Sequence, residues 1–177
     1  MQLRWHLLLV GLAMAAALRL AAQPLDPGLF SEMRWRLAAP LRTKTSSISV
    51  ALEQARALRK QTAALSEKAS GDAAAALAEF GRKLEPVAGP AVSPEEFYNL
   101  SEAAPTSLLR LAVSLARFQG AVESADAAPT TDAVTGFGQR QEAVEQGLAR
   151  WKEFLRTGVP TANRALGAAG LAPIRLE

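Results

Sequence analysis

The sequence predicts an all-α protein, an antiparallel bundle of about four long helices plus short ones. Apolar residues recur at alternating steps of three and four over long stretches, which puts them on one face of a helix. Alanine, the strongest helix former, supplies much of the 49% hydrophobic content. Runs of β-branched residues, which are typical of strands, are scarce.

The clearest helical pair runs from residue 105 to residue 157. A short connection at residues 124–130 joins its halves, so we expect an antiparallel helical hairpin. The stripe of the first helix is Leu108, Leu111, Leu115, Phe118 and Val122, and that of the second is Val134, Phe137, Gln141, Val144, Leu148, Trp151 and Leu155. The polar member, Gln141, either sets the helix register through a buried hydrogen bond or lies at an exposed edge.

Upstream, two more helices are predicted. The first long helix begins at Ser46 or Ser47, either of which can cap it, and ends at the Ser70-Gly71-Asp72 break. Its stripe is Ile48, Ala51, Leu52, Ala55, Leu58, Thr62 and Leu65. The second runs from about Ala73 to Leu84 and buries Leu77, Phe80 and Leu84.

Capping signals define the remaining elements. Ser93, followed by Pro94 and by Glu96 three residues on, is a strong helix start, and Pro105 predicts a break at Ala103-Ala104. Thr130 or Thr131 caps the fourth long helix, which we expect to end at Gly158. One short helix from Pro160 to Ala169 follows, and Leu171, Pro173 and Ile174 close one end of the bundle.

Residues 1–22 have the organisation of an export signal. Arg4 precedes an apolar stretch, and Leu20-Ala21-Ala22 offers a small-residue cleavage site. The apolar stretch is well short of the roughly 20 residues that span a bilayer. We therefore expect a cleaved signal helix and a periplasmic or secreted protein, with an uncleaved membrane anchor and a buried core helix as the alternatives. Any membrane contact would be through this segment alone.

Charge argues against nucleic-acid binding. The chain has 20 basic and 17 acidic residues, and the signal removes two basic residues and no acidic one. The mature chain therefore has a net charge near +1, with basic and acidic residues interspersed, as on solvated helix faces. We expect a protein partner, or a second copy of this chain, and no nucleic acid.

Residues 23–45 are expected to form an irregular N-terminal segment, because prolines and a glycine interrupt them. The bundle domain then occupies residues 46–177. Within the irregular segment, Arg34, Trp35 and Arg36 are the candidate partner-binding residues, as a tryptophan flanked by two arginines. The alternative is a tryptophan that lies across the bundle while its arginine neighbours stay in water.

The sequence offers no catalytic constellation. There is no Cys, and the one His, His6, lies in the predicted signal, so the mature chain lacks thiol nucleophiles and the usual zinc ligands. The acidic pairs Glu95–Glu96 and Glu142–Glu145 fit solvated helix faces, since acid/base catalysis needs a carboxyl with a raised pKa in an apolar pocket. Gly136-Phe137-Gly138 lacks the third glycine and the preceding strand of a dinucleotide loop. We predict no catalytic, cofactor-binding or metal-binding residue.

Two stretches carry a family resemblance. The first is FSEMRWRLAAP (30–40). The second comprises PLRTKTSSISVALEQ (40–54), ESADAAPTTDAV (123–134) and LARWKEFLRTGVPTANRALGAAGLAPI (148–174). The chain resembles exported BNR-repeat (Asp-box) proteins, the sortilin-like or glycosyl-hydrolase-type β-propellers, at the propeller's start and in the helical extension that follows it. The Asp-box repeats themselves are absent. The resemblance implies a helical module without its propeller, so that no propeller activity transfers to it.

We therefore expect a non-catalytic exported helical bundle that serves in protein interaction or packing. The alternative is a subunit or remnant of a sugar-active glycosyl hydrolase.

Overall fold

A computed structural model describes residues 27–92, 106–124 and 130–176, with side chains from residue 38 onward. These ranges form four helices and no strand, so the predicted all-α bundle is confirmed. The helices are α1 (Pro27–Ser66), α2 (Gly71–Ala88), α3 (Leu108–Ser124) and α4 (Thr131–Ala168). The predicted signal, the helix start at Ser93 and the break at Ala103-Ala104 lie outside the described residues.

Helix α1 is longer than the sequence indicated. It begins at Pro27, so the prediction of an irregular segment at 23–45 was wrong from residue 27 onward. Pro40 lies inside the helix, although an interior proline removes a backbone hydrogen bond and costs about 3 kcal/mol. Leu41, the next residue, is only 1% exposed, and Ile48 is equally buried. Packing of these side chains against the other helices offsets the lost hydrogen bond, and α1 continues past the predicted start at Ser46 or Ser47.

Helix α2 extends the predicted Ala73–Leu84 segment in both directions. Ser70 occupies its N-cap position and Asp72 lies in the first turn, where a negative charge is favourable. The three residues expected on the buried face are all buried. Pro86 falls inside the last turn, and the helix ends at Gly89, which has a φ of 95°.

The predicted hairpin of α3 and α4 is confirmed. The Arg150 side chain of α4 donates to the Thr106 carbonyl just before α3, and further along the pair the Phe118 and Phe137 rings stack 6.2 Å apart. Residue numbers that rise on one helix and fall on the other mark an antiparallel pair. The Thr130 hydroxyl caps α4 by accepting a hydrogen bond from the Ala133 N–H, at 3.2 Å.

One member of the predicted α4 stripe, Val134, is 48% exposed and does not belong to the core. It lies in the first turn of α4, directly after the Thr130 cap. The three-and-four spacing of α4 therefore begins one turn before the buried part of the stripe, whose first member is Phe137.

Helix α4 does not stop at Gly158, and the predicted separate helix from Pro160 to Ala169 is its continuation. Phe154 and Ala162, on either side of Pro160, are both buried, so packing again holds a helix through a proline. The helix ends at Ala168, and Gly170, two residues beyond it, has a φ of +68°. There the Leu171 N–H donates to the Leu166 carbonyl at 2.9 Å, which is the bond of a Schellman cap.

The two long helices run parallel to each other. Lys44 of α1 bonds Glu145 of α4, and Gln54 bonds Trp151 further along both helices. Helix α2 turns back along the C-terminal half of α1, where Arg59 donates to the Gly89 carbonyl. Helix α3 runs back along the other half of the pair. A cross-section of the bundle therefore contains three helices. Two are α1 and α4, and the third, antiparallel to them, is α2 in the C-terminal half of α1 and α3 in the other half.

Two buried clusters reflect this division. The C-terminal cluster comprises Ala51, Ala55, Leu58, Ala73, Leu77, Phe80, Leu84, Ala88, Leu108, Trp151, Phe154, Ala162, Leu166 and Ile174. The N-terminal cluster comprises Leu41, Ile48, Leu111, Leu115, Phe137 and Val144. Leu52 and Leu148 pack against both clusters, so the core is continuous along the bundle.

Candidate interaction sites and ionisable groups

The candidate partner-binding residues Arg34, Trp35 and Arg36 lie on α1 rather than on an irregular segment. Their side chains are outside the described residues. The two bonds that fix the register of α1 and α4 join residues 101 and 97 positions apart, so Trp35 is level with residues 132–136. These three positions therefore lie at the end of the bundle where α3 and α4 are joined. Their binding role stays a prediction.

The acidic pair on α4 is solvent-exposed. Glu145 accepts hydrogen bonds from the Lys44 ammonium at 2.6 Å and from the Gln141 amide at 3.2 Å. These bonds, that of Lys44 first, hold the pKa of Glu145 below its ordinary value. Glu142 accepts a hydrogen bond from Gln146, one turn later. The lowered pKa of Glu145 is the opposite of the raised pKa that a general acid requires.

A second carboxyl shows the same behaviour. Glu153 accepts two hydrogen bonds from Arg156, at 2.7 and 2.9 Å, and they lower its pKa while raising that of Arg156. Both side chains are more than half exposed. Among the described residues, no three His, Cys, Asp or Glu side chains are grouped as metal ligands.

Gln141 occupies an edge position rather than a buried one, because its amide partner Glu145 is exposed. The glycines at 136 and 138 lie within α4, with Phe137 between them 7% exposed, so they form no phosphate-binding loop. The guanidinium of Arg140 lies 4.7 Å from the Phe118 ring centroid and donates to the Gly136 carbonyl at 2.9 Å. These contacts belong to the packing of the α3–α4 hairpin.

Arg59 separates two shallow surface grooves on the α1–α2 side. One, of about 310 Å³, is lined by Leu52, Arg56 and Arg59 of α1, by residues 90–92 and by Leu109. The other, of about 410 Å³, lies between α1 and α2. Burial lowers the pKa of Arg59, and Glu85 nearby opposes this. The Arg59 guanidinium donates a hydrogen bond to the Gly89 carbonyl, so it pairs a backbone oxygen at the end of α2.

Sequence reasoning missed the most specific polar arrangement in the described chain. Gln61 of α1 and Asn163 of α4 each form two hydrogen bonds with the backbone of the C-terminal tail, residues 171–176. Ile174 of this tail is 2% exposed, as its predicted role in closing the bundle requires, whereas Pro173 is exposed. The position of Gln61 beside the predicted apolar stripe gave no signal for this contact.

No protein-family model, curated protein or solved structure matches this chain. The resemblance to BNR-repeat propeller proteins therefore stays a prediction. No helix in the described ranges has both the length and the hydrophobicity needed to cross a bilayer.

Proposed function

We propose that the mature chain is a non-catalytic exported helical bundle, an interaction or packing module related to the helical extension of BNR-repeat propeller proteins. One observation carries the non-catalytic part of the proposal. The described carboxyl groups with shifted pKa values, Glu145 and Glu153, are exposed and shifted downward by basic partners. Glycoside hydrolysis instead uses two facing carboxyl groups, one of which has a raised pKa.

Two residues of the stretch that carries the resemblance have a role in the fold of the bundle itself. In the stretch from Leu148 to Ile174, Trp151 is 3% exposed and donates to Gln54 at 3.1 Å, and Asn163 holds the tail. The stretch thus contains residues that fix the C-terminal half of the bundle. A module of this kind would fold without a propeller.

The interaction surface favoured by this proposal is the bundle end that contains Arg34, Trp35 and Arg36. Relatives of the resembled type would join their propeller to this part of the chain. Seven-residue spacing places position 35 on the α1 face of Arg42, Ser49 and Arg56, all of which are exposed.

The test uses the purified mature chain, from Gln23 to Glu177. We expect no turnover of nitrophenyl glycosides or oligosaccharides above a buffer blank. Turnover that a single carboxylate substitution abolishes would overturn the proposal in favour of a glycosyl hydrolase. Light scattering on the same sample measures self-association and so distinguishes a partner protein from a second copy.

A further inference from the structure

The C-terminal tail lies between the ends of α1 and α4, held by two side-chain amides. Asn163 accepts from the Ile174 N–H at 2.7 Å and donates to the Ile174 carbonyl at 2.9 Å. Gln61 accepts from the Arg175 N–H at 2.9 Å and donates to the Arg175 carbonyl at 2.7 Å. All four backbone polar groups of two successive residues are therefore paired.

This pattern is that of a β-sheet partner. In an antiparallel sheet a residue exchanges both its N–H and its C=O with the residue opposite, as Ile174 does here with one side-chain amide. In an extended chain successive residues direct these groups to opposite sides, which is why one amide comes from α1 and the other from α4. Pro173 favours an extended conformation for the residue before it.

Only one tail side chain is deeply buried at this place. Ile174 is 2% exposed and belongs to the same cluster as Leu58 and Leu166, while Arg175 and Leu176 are exposed. Main-chain pairing combined with a pocket for one side chain is how sheet-edge peptide sites obtain affinity and specificity.

We propose that Gln61, Asn163 and the recess under Ile174, the tail seat, form a binding site for an extended peptide with a branched aliphatic residue, and that the chain's own tail is its resident ligand. This inference rests on the proposed interaction function and names its partner class. The inference can be wrong while the proposed function is right, because the bundle end around Trp35 does not depend on the tail seat.

The tail has the advantage of being tethered. A short tether gives an effective concentration of about millimolar, so a free peptide at micromolar concentration does not displace it. Ile174→Asp removes the resident ligand, because a carboxylate in an apolar recess has no partner and leaves it. Gln61→Ala then removes two of the four backbone bonds, which is worth about a tenfold loss of affinity.

The probe is a fluorescein-labelled synthetic peptide with the sequence of residues 171–177, followed by fluorescence anisotropy. We expect saturable binding to the full-length Ile174→Asp chain, and binding at least tenfold weaker both to wild type and to Ile174→Asp with Gln61→Ala. A peptide with Asp in place of Ile is the matched control and should not bind. Absence of binding by an Ile174→Asp chain with wild-type helix content, or equal binding by all three chains, overturns the proposal.

The wild-type chain provides an independent readout if Ile174→Asp fails to fold. Unlabelled peptide at several millimolar should compete with the tail of an isotopically labelled chain and move the backbone amide NMR signals of Ile174 and Arg175 to random-coil positions. A titration to that concentration that leaves both signals unmoved overturns the proposal as well.

Discussion

Gly89, at the junction where α2 ends and the chain approaches α3, should tolerate no side chain. Its φ of 95° and ψ of 176° belong to a region that is essentially restricted to glycine and costs about 1–3 kcal/mol for other residues. A Cβ there would also lie 2.8 Å from the Leu109 Cβ and 3.3 Å from the Ser107 Oγ. Overpacking of a buried site costs about 1–3 kcal/mol more. We expect Gly89→Ala to lower the free energy of unfolding by about 4 kcal/mol.

Gly170→Ala is the matched control. Gly170 also has a positive φ, +68°, but nothing lies within 4 Å of its added Cβ. We expect a loss of about 1–2 kcal/mol from backbone strain alone. Urea unfolding followed by circular dichroism at the helix band measures both variants. If Gly89→Ala lowered the free energy of unfolding by no more than Gly170→Ala does, Gly89 would not be packed closely against Leu109 and Ser107.

Three further predictions concern α4 and its neighbours. Gly138→Ala, in open space, should stabilise the protein by up to about 1 kcal/mol. Gly147→Ala should lack that gain in urea unfolding, because its Cβ would fall 2.4 Å from a buried leucine methyl of α3; an equal gain contradicts the packing. Phe154→Ala should cost about 3–5 kcal/mol, since its ring lies 5.0 Å from another buried phenylalanine, and a loss below about 1 kcal/mol would place it outside the core. In an NMR titration Glu145 should stay ionised to lower pH than an ordinary glutamate, and Lys44→Met should raise its pKa; the pair's contribution to stability is present above the ordinary glutamate pKa and lost as pH falls through the lowered value. An unchanged pKa in Lys44→Met would contradict the contact.

Helix identity was predictable because it depends on local spacing. The stripes around Leu58, Leu77 and Leu115 are buried as expected, and those three side chains are each at most 1% exposed. Helix ends were not predictable where prolines or a glycine were taken as interruptions, as at Pro40 and at Gly158-Val159-Pro160. Pro40 and Pro160 lie inside helices because buried residues on the same helix stabilise it by more than the proline costs.

The arrangement of the helices depends on those ends. With α1 starting at Ser46 or Ser47 and α4 ending at Gly158, the sequence predicted an antiparallel bundle of about four long helices plus short ones. Their actual lengths are 40 and 38 residues, against 18 and 17 for α2 and α3, so the two short helices together match one long one. The tail contacts were also beyond sequence reasoning, because Gln61 and residue 175 are 114 positions apart.

The central claim, that this bundle binds a protein through the end containing Trp35, is tested most directly by comparative capture. The immobilised mature chain is incubated with periplasmic or secreted extract of the source cell, beside a variant with Arg34, Trp35 and Arg36 all changed to Ala. A double variant at the opposite end, Lys60→Ala with Lys68→Ala, is the control. The account predicts a protein retained by the wild type and the control and lost by the triple variant. Retention by all three chains, or by none of them, would contradict it.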